Sequence, residues 1–170
     1  MKSKENLVFL GMMGSGKSSI GALVSKKLNI KFIDIDQEIE KKLGMTISEI
    51  FQKNGEKYFR KIEETITLNL LRKNKSVISL GGGAFLNNKI KREILENHLS
   101  FWLNWEVGTL IGRIKNSKKR PLAFKITENK LKELIKKRSI IYSEAMYKIN
   151  CENLTKNEIA KNIINIYETN

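Results

Sequence analysis

Two short stretches of this chain have residue types and spacings suited to chemistry: GMMGSGKS at residues 11–18 and FIDID at 32–36. The first fits G-x-x-x-x-G-K-[ST]. Its glycines let backbone N–H groups converge on phosphate oxygens, at the positive end of a helix that would follow. Lys17 would reach the β- and γ-phosphates of a nucleoside triphosphate, and the Ser18 hydroxyl would ligate Mg²⁺. The second stretch holds Asp34 and Asp36, the only aspartates of the chain; its other acids are all glutamates. Both stand at the end of an apolar run, where a carboxylate is costly to place without a partner. Along an extended strand the two would point to one side, with Ile33 and Ile35 on the other. They would then face the space where the phosphate loop holds a γ-phosphate. A plainer use of Asp36 is to cap the helix that follows.

A phosphate loop alone does not separate a kinase from a switch or a motor. A GTP-binding switch needs aspartates in N-K-x-D and D-x-x-G, and neither motif is present. A motor usually carries an acid at the end of a later apolar strand, but VISL here ends in glycines and FWLN in Asn104. The acid on the Mg²⁺ side therefore comes from the strand directly after the phosphate-loop helix, a layout that suits a small-molecule kinase. A gluconate- or nucleoside-monophosphate-kinase-like enzyme is the nearest alternative. A nucleic-acid-binding protein with a phosphate loop is a more distant one.

These residues need a scaffold, and the apolar pattern supplies it. NLVFLG, KFIDI, SVISL, LSFWLN and YKIN read as strands. Helices are expected over KSSIGALVSKKL and over about 36–43, 56–72, 106–116, 127–145 and 155–168. TISEIF opens another, with Thr46 and Glu49 in capping-box spacing. Strands alternating with helices imply right-handed crossovers and a parallel sheet covered on both faces, with ligands at the carboxyl ends of the strands.

At 170 residues the chain is read as one domain, residues 1–170. No apolar run approaches a membrane span. One cysteine and one histidine exclude an internal disulfide and a zinc site and point to the cytoplasm. The net charge of +14 comes from lysines spread in pairs such as Lys26-Lys27, Lys41-Lys42 and Lys136-Lys137. Such pairs on helices read as solvated faces, so no specific nucleic acid or membrane partner is expected.

Three further stretches join these two in order and at family-like spacing: YFRKIEE at 58–64, SLGGGA at 79–84 and RPL at 120–122. Together they resemble the shikimate kinase family, from Leu7 to about Tyr147. The resemblance implies a single α/β phosphate-loop kinase domain with a five-stranded parallel sheet of order 2-3-1-4-5. It implies transfer of the ATP γ-phosphate to the 3-hydroxyl of shikimate, with Mg²⁺, by a monomer. Gly14, Ser15, Gly16, Lys17, Ser18, Ser19 and Arg120 would bind ATP. Ser18 and, through water, Asp34 would attend the metal. Asp36 would bind the substrate hydroxyls and accept the proton, with Lys17 and Arg120 as further catalytic groups. Arg60 and Arg138 would grip the carboxylate, Glu63 would orient Arg60, and Gly81, Gly82 and Gly83 would meet the ring hydroxyls. Ile47, Phe51 and Phe59 would surround the ring. The substrate-binding segment would span about 34–62. A lid over about 113–127 would carry Arg120 and Arg113 to the phosphates. The chain has 26 lysines and only 6 arginines, so arginine at these positions suits the bidentate fork that a carboxylate calls for. AFKITENK departs from the family's small-residue lid, and no adenine-binding loop is evident around residues 151–156.

Overall fold

The most apolar short run becomes the middle strand of the sheet. In the computed structural model, which describes residues 6–73, 75–116 and 126–169, β1 (Leu7–Leu10) is buried at every position. It pairs in parallel with β3 (Ser76–Ser79) on one side and β4 (Leu99–Asn104) on the other. β2 (Lys31–Asp34) lies outside β3 and β5 (Tyr147–Asn150) outside β4, both parallel. The order is β2-β3-β1-β4-β5, as the resemblance implied. A strand with neighbours on both edges and helices on both faces has no polar side, which is why LVFL is continuous rather than alternating.

The crossovers decide where a ligand can sit. From β1 the chain moves to one edge through α1 (Lys17–Leu28), and every later crossover moves the other way. Right-handed connections then place α1 on one face. On the opposite face lie α3 (Ile47–Leu71), α4 (Asn88–Asn97) and α6 (Glu128–Tyr142). α7 (Lys156–Glu168) packs against α1. The reversal opens a crevice between the carboxyl ends of β1 and β3. The phosphate loop follows one of these strands and the three glycines follow the other.

Several expectations are refined. The two helical stretches on either side of Gly55 form one element, α3, with a kink at Gly55 (φ 79°, ψ 171°). Thr46 and Glu49 do form the capping box. α2 (Ile35–Leu43) begins one residue earlier than expected, and α5 (Val107–Lys115) is close to its expected bounds. α4 was not anticipated: its buried positions are Ile90 and Ile94 alone, and the strong polar character of NKIKREILEN hides a single apolar stripe. The lysine pairs 26–27, 41–42 and 136–137 are all exposed. Among the described residues, no helix is long and apolar enough to cross a membrane.

Candidate active site

After β1 the backbone takes φ values of 140° at Gly11, 80° at Gly14 and 89° at Gly16, a region that residues with a Cβ rarely enter. The loop is held from outside by α5 and the turn before it. Trp105 Nε1 donates to the Ser15 carbonyl at 2.9 Å, and the Arg113 guanidinium lies over the Trp105 ring, 3.5 Å from its centroid. Lys17, in the first turn of α1, donates to the carbonyls of Gly11 and Met12, each at 2.9 Å. Ser19 Oγ donates to the Gly16 carbonyl at 3.1 Å.

The two aspartates divide differently from the extended-strand expectation. β2 ends at Asp34, whose Oδ1 accepts from the backbone N–H of Asp36 (3.1 Å) and Gln37 (3.3 Å). Asp34, not Asp36, is therefore the N-cap of α2, because two orphan donors of the first turn lie within reach of its short side chain. Its other oxygen, Oδ2, accepts from Ser18 Oγ at 2.5 Å. Asp36 stands one position into the helix, and its carboxylate reaches the loop after β3. A methyl group at Gly81 would lie 2.7 Å from Asp36 Oδ1 and 2.8 Å from Glu63 Oε1.

The same loop meets both predicted arginines. A methyl at Gly83 would lie 2.5 Å from Arg60 Nη1, and one at Gly82 would lie 3.6 Å from Arg138 Nη1. It would also lie 3.5 Å from the Met13 nitrogen of the phosphate loop. Gly81 and Gly83 thus have no room for a side chain without displacing a charged group, while Gly82 lies in ordinary contact distance of Arg138 and the phosphate loop. Arg60 donates to Glu63 Oε2 at 2.7 Å and to Glu56 Oε1 at 3.3 Å. Phe59 packs on Phe51, with ring centroids 4.7 Å apart, and Ile47 is part-buried against the same core. Burial pushes the Glu63 carboxyl above the usual glutamate range, outweighing the pull of Arg60, and the nearby Asp36 charge adds to the rise. Glu63 Oε1 and Arg138 Nε are buried without a hydrogen-bond partner among the described residues.

The structure therefore brings Asp34, Asp36, Arg60, Gly81, Gly82, Gly83, Arg138 and the phosphate loop to one end of the sheet. Arg120, Pro121 and Leu122 lie outside the described residues, as does most of the expected lid. Arg113 belongs to the last turn of α5. Sequence reasoning missed Trp105 and Tyr142, both buried. Nothing in their local sequence separates an aromatic that braces a loop from one that fills a core.

The chain's sequence matches the family described as shikimate kinase over residues 13–168. It is 41% identical over 165 residues to a shikimate kinase of Thermodesulfovibrio yellowstonii, covering 96% of this chain and 95% of that protein. Its fold is similar to that of the Acinetobacter baumannii shikimate kinase in complex with shikimate (TM-score 0.90, 30% identity, 99% of this chain and 95% of that one). It is similar also to the Aquifex aeolicus shikimate kinase (TM-score 0.85, 36% identity, 96% of each chain). With strand order, phosphate loop and sequence in agreement over nearly its whole length, the chain belongs to the shikimate kinase family.

Proposed function

We propose that this enzyme passes the γ-phosphoryl group of ATP to the 3-hydroxyl of shikimate, with Asp36 as the acceptor of the hydroxyl proton. One observation carries the assignment: Asp36, Arg60 and Arg138 converge on three glycines that abut the phosphate loop. Phosphoryl transfer asks a protein mainly for positioning and charge stabilisation. The phosphate loop and Lys17 hold the donor, Lys17 exchanging loop carbonyls for phosphate oxygens. Arg60 and Arg138 present planar forks to the acceptor's carboxylate. The glycine loop lets the ring approach closely, and Asp36 reaches the attacking hydroxyl across it.

Mg²⁺ fits the donor set. A magnesium ion that arrives with a nucleotide takes most of its ligands from phosphates and water. The Ser18 hydroxyl and, behind it, the Asp34 carboxylate are the oxygens that would hold it. When bound, the ion neutralises charge on the β- and γ-phosphates. Arg120 is assigned to the transferring phosphoryl, on a lid over about 113–127.

Coupled measurement of ADP release tests the reading. Turnover should depend on shikimate, and gluconate and nucleoside monophosphates should be essentially inert. Lys17→Ala should stay folded and lose activity. Equal turnover of either rival substrate would overturn the assignment.

A further inference from the structure

Tyr142 is the last residue of α6 and one of the largest fully buried side chains. Its hydroxyl donates to the Gly82 carbonyl at 2.5 Å. Arg138, one helical turn earlier on the same face, points Nη1 at that carbonyl from 3.5 Å. The first contact is a short hydrogen bond and the second is at the limit of one. Tyr142 thus makes the short contact that satisfies the carbonyl, and Arg138 shares it only at long range. The Gly82–Gly83 peptide also lies between the two arginines, with its carbonyl toward Arg138 and the Gly83 Cα toward Arg60. It is trans, so fixing its carbonyl fixes its N–H on the opposite side of a rigid plane.

We propose that Tyr142 is a positioning residue for acceptor binding: its hydroxyl fixes the Gly82–Gly83 peptide and keeps the Arg138 fork available to the substrate carboxylate. The inference rests on the reading that Arg138 and the glycine loop receive shikimate. Burial, only partly opposed by Arg138, pushes the Tyr142 phenol up to about 12, so it remains a donor throughout any ordinary assay range. The ring packs against Trp102, with centroids 6.2 Å apart. Removing the hydroxyl alone therefore leaves the packing in place.

In Tyr142→Phe, Arg138 becomes the donor left for the Gly82 carbonyl and is pulled from the acceptor. The KM for shikimate should rise by roughly tenfold, the scale of one lost charge-assisted hydrogen bond. The KM for ATP should stay within about twofold, because this contact lies outside the phosphate loop. Arg138→Lys, measured alongside, separates two kinds of failure. If Arg138→Lys impairs shikimate use and folded Tyr142→Phe does not, the positioning role is wrong and the site assignment stands. If neither variant affects shikimate use, the carboxylate assignment itself fails. A parallel rise in both KM values with a large fall in Tm would mean a general structural role and would also overturn the proposal. Should Tyr142→Phe fail to fold, a polyfluorinated tyrosine at 142 supplies the test. Its more acidic phenol would lose the donated proton as pH rises, so KM for shikimate should climb with pH relative to wild type. An unchanged pH profile would count against the role.

Discussion

At the amino-terminal end of the sheet, Asn6 joins three elements through one side chain. Its amide donates to the Leu71 carbonyl at 2.8 Å, its oxygen accepts from Ser76 N–H at 2.9 Å, and the amide nitrogen lies 3.3 Å from His98 Nδ1. At the carboxyl end, Asp36, Glu63, Arg60 and Arg138 crowd around glycines, and the buried Glu63 Oε1 and Arg138 Nε have no hydrogen-bond partner among the described residues. A buried polar atom left unpaired costs about 1–3 kcal/mol. The Asn6 side chain thus spends both of its polar atoms on holding the fold, while Glu63 Oε1 and Arg138 Nε carry unmet hydrogen-bonding capacity in the place where the acceptor is proposed to bind. Stability and catalysis should therefore respond separately to changes at the two ends.

Short of losing the proton acceptor or Lys17, the largest effects are expected at the arginines. Arg60→Lys and Arg138→Lys keep the charge but lose the fork. Each should lower kcat/KM for shikimate by roughly tenfold to a hundredfold, with the fold intact by circular dichroism. Wild-type kcat/KM in both variants would mean that the carboxylate lies elsewhere.

Next comes the opposite end. Asn6→Ala removes the buried hydrogen bonds that Asn6 makes with the Ser76 N–H and the Leu71 carbonyl. At about 2–4 °C per kcal/mol for a domain of this size, Tm should fall by roughly 5 °C or more. Turnover per folded molecule should hold. A variant with unchanged Tm would show that the Asn6 cluster is not what closes this end.

The smallest effect is a pH slope. Because burial raises the Glu63 pKa in the folded state, the native protein holds that proton more tightly than the unfolded chain. Stability from this group is therefore greatest below the ordinary glutamate pKa of about 4.3 and declines as pH rises through the folded-state value. Urea midpoints across that window should fall less with pH in Glu63→Gln than in wild type. Identical slopes would remove Glu63 as the source.

Much of the carboxyl end was legible in the sequence because its groups come in spaced motifs: GMMGSGKS, FIDID, YFRKIEE and SLGGGA each map onto one strand end or helix turn. The order of the strands also followed from the family that these motifs resemble. The division of labour between Asp34 and Asp36 was not legible. It depends on whether the strand runs one residue further, and capping of two backbone N–H groups settles that locally. Tyr142 and Trp105 were hidden because their partners, the Gly82 and Ser15 carbonyls, lie 60 and 90 residues away in sequence. α4 was hidden by its own polarity, with a stripe of two buried isoleucines in ten residues.

The most direct test of the account is kcat and Tm of Asp36→Asn, measured on the same preparation with saturating ATP and shikimate. Asp34 already supplies the cap of α2, so Tm should stay near the wild-type value. The kcat should fall by on the order of 10²–10⁴-fold, the usual worth of a positioned base. A folded Asp36→Asn enzyme turning over within about tenfold of wild type would contradict the assignment, since general-base loss is larger than that.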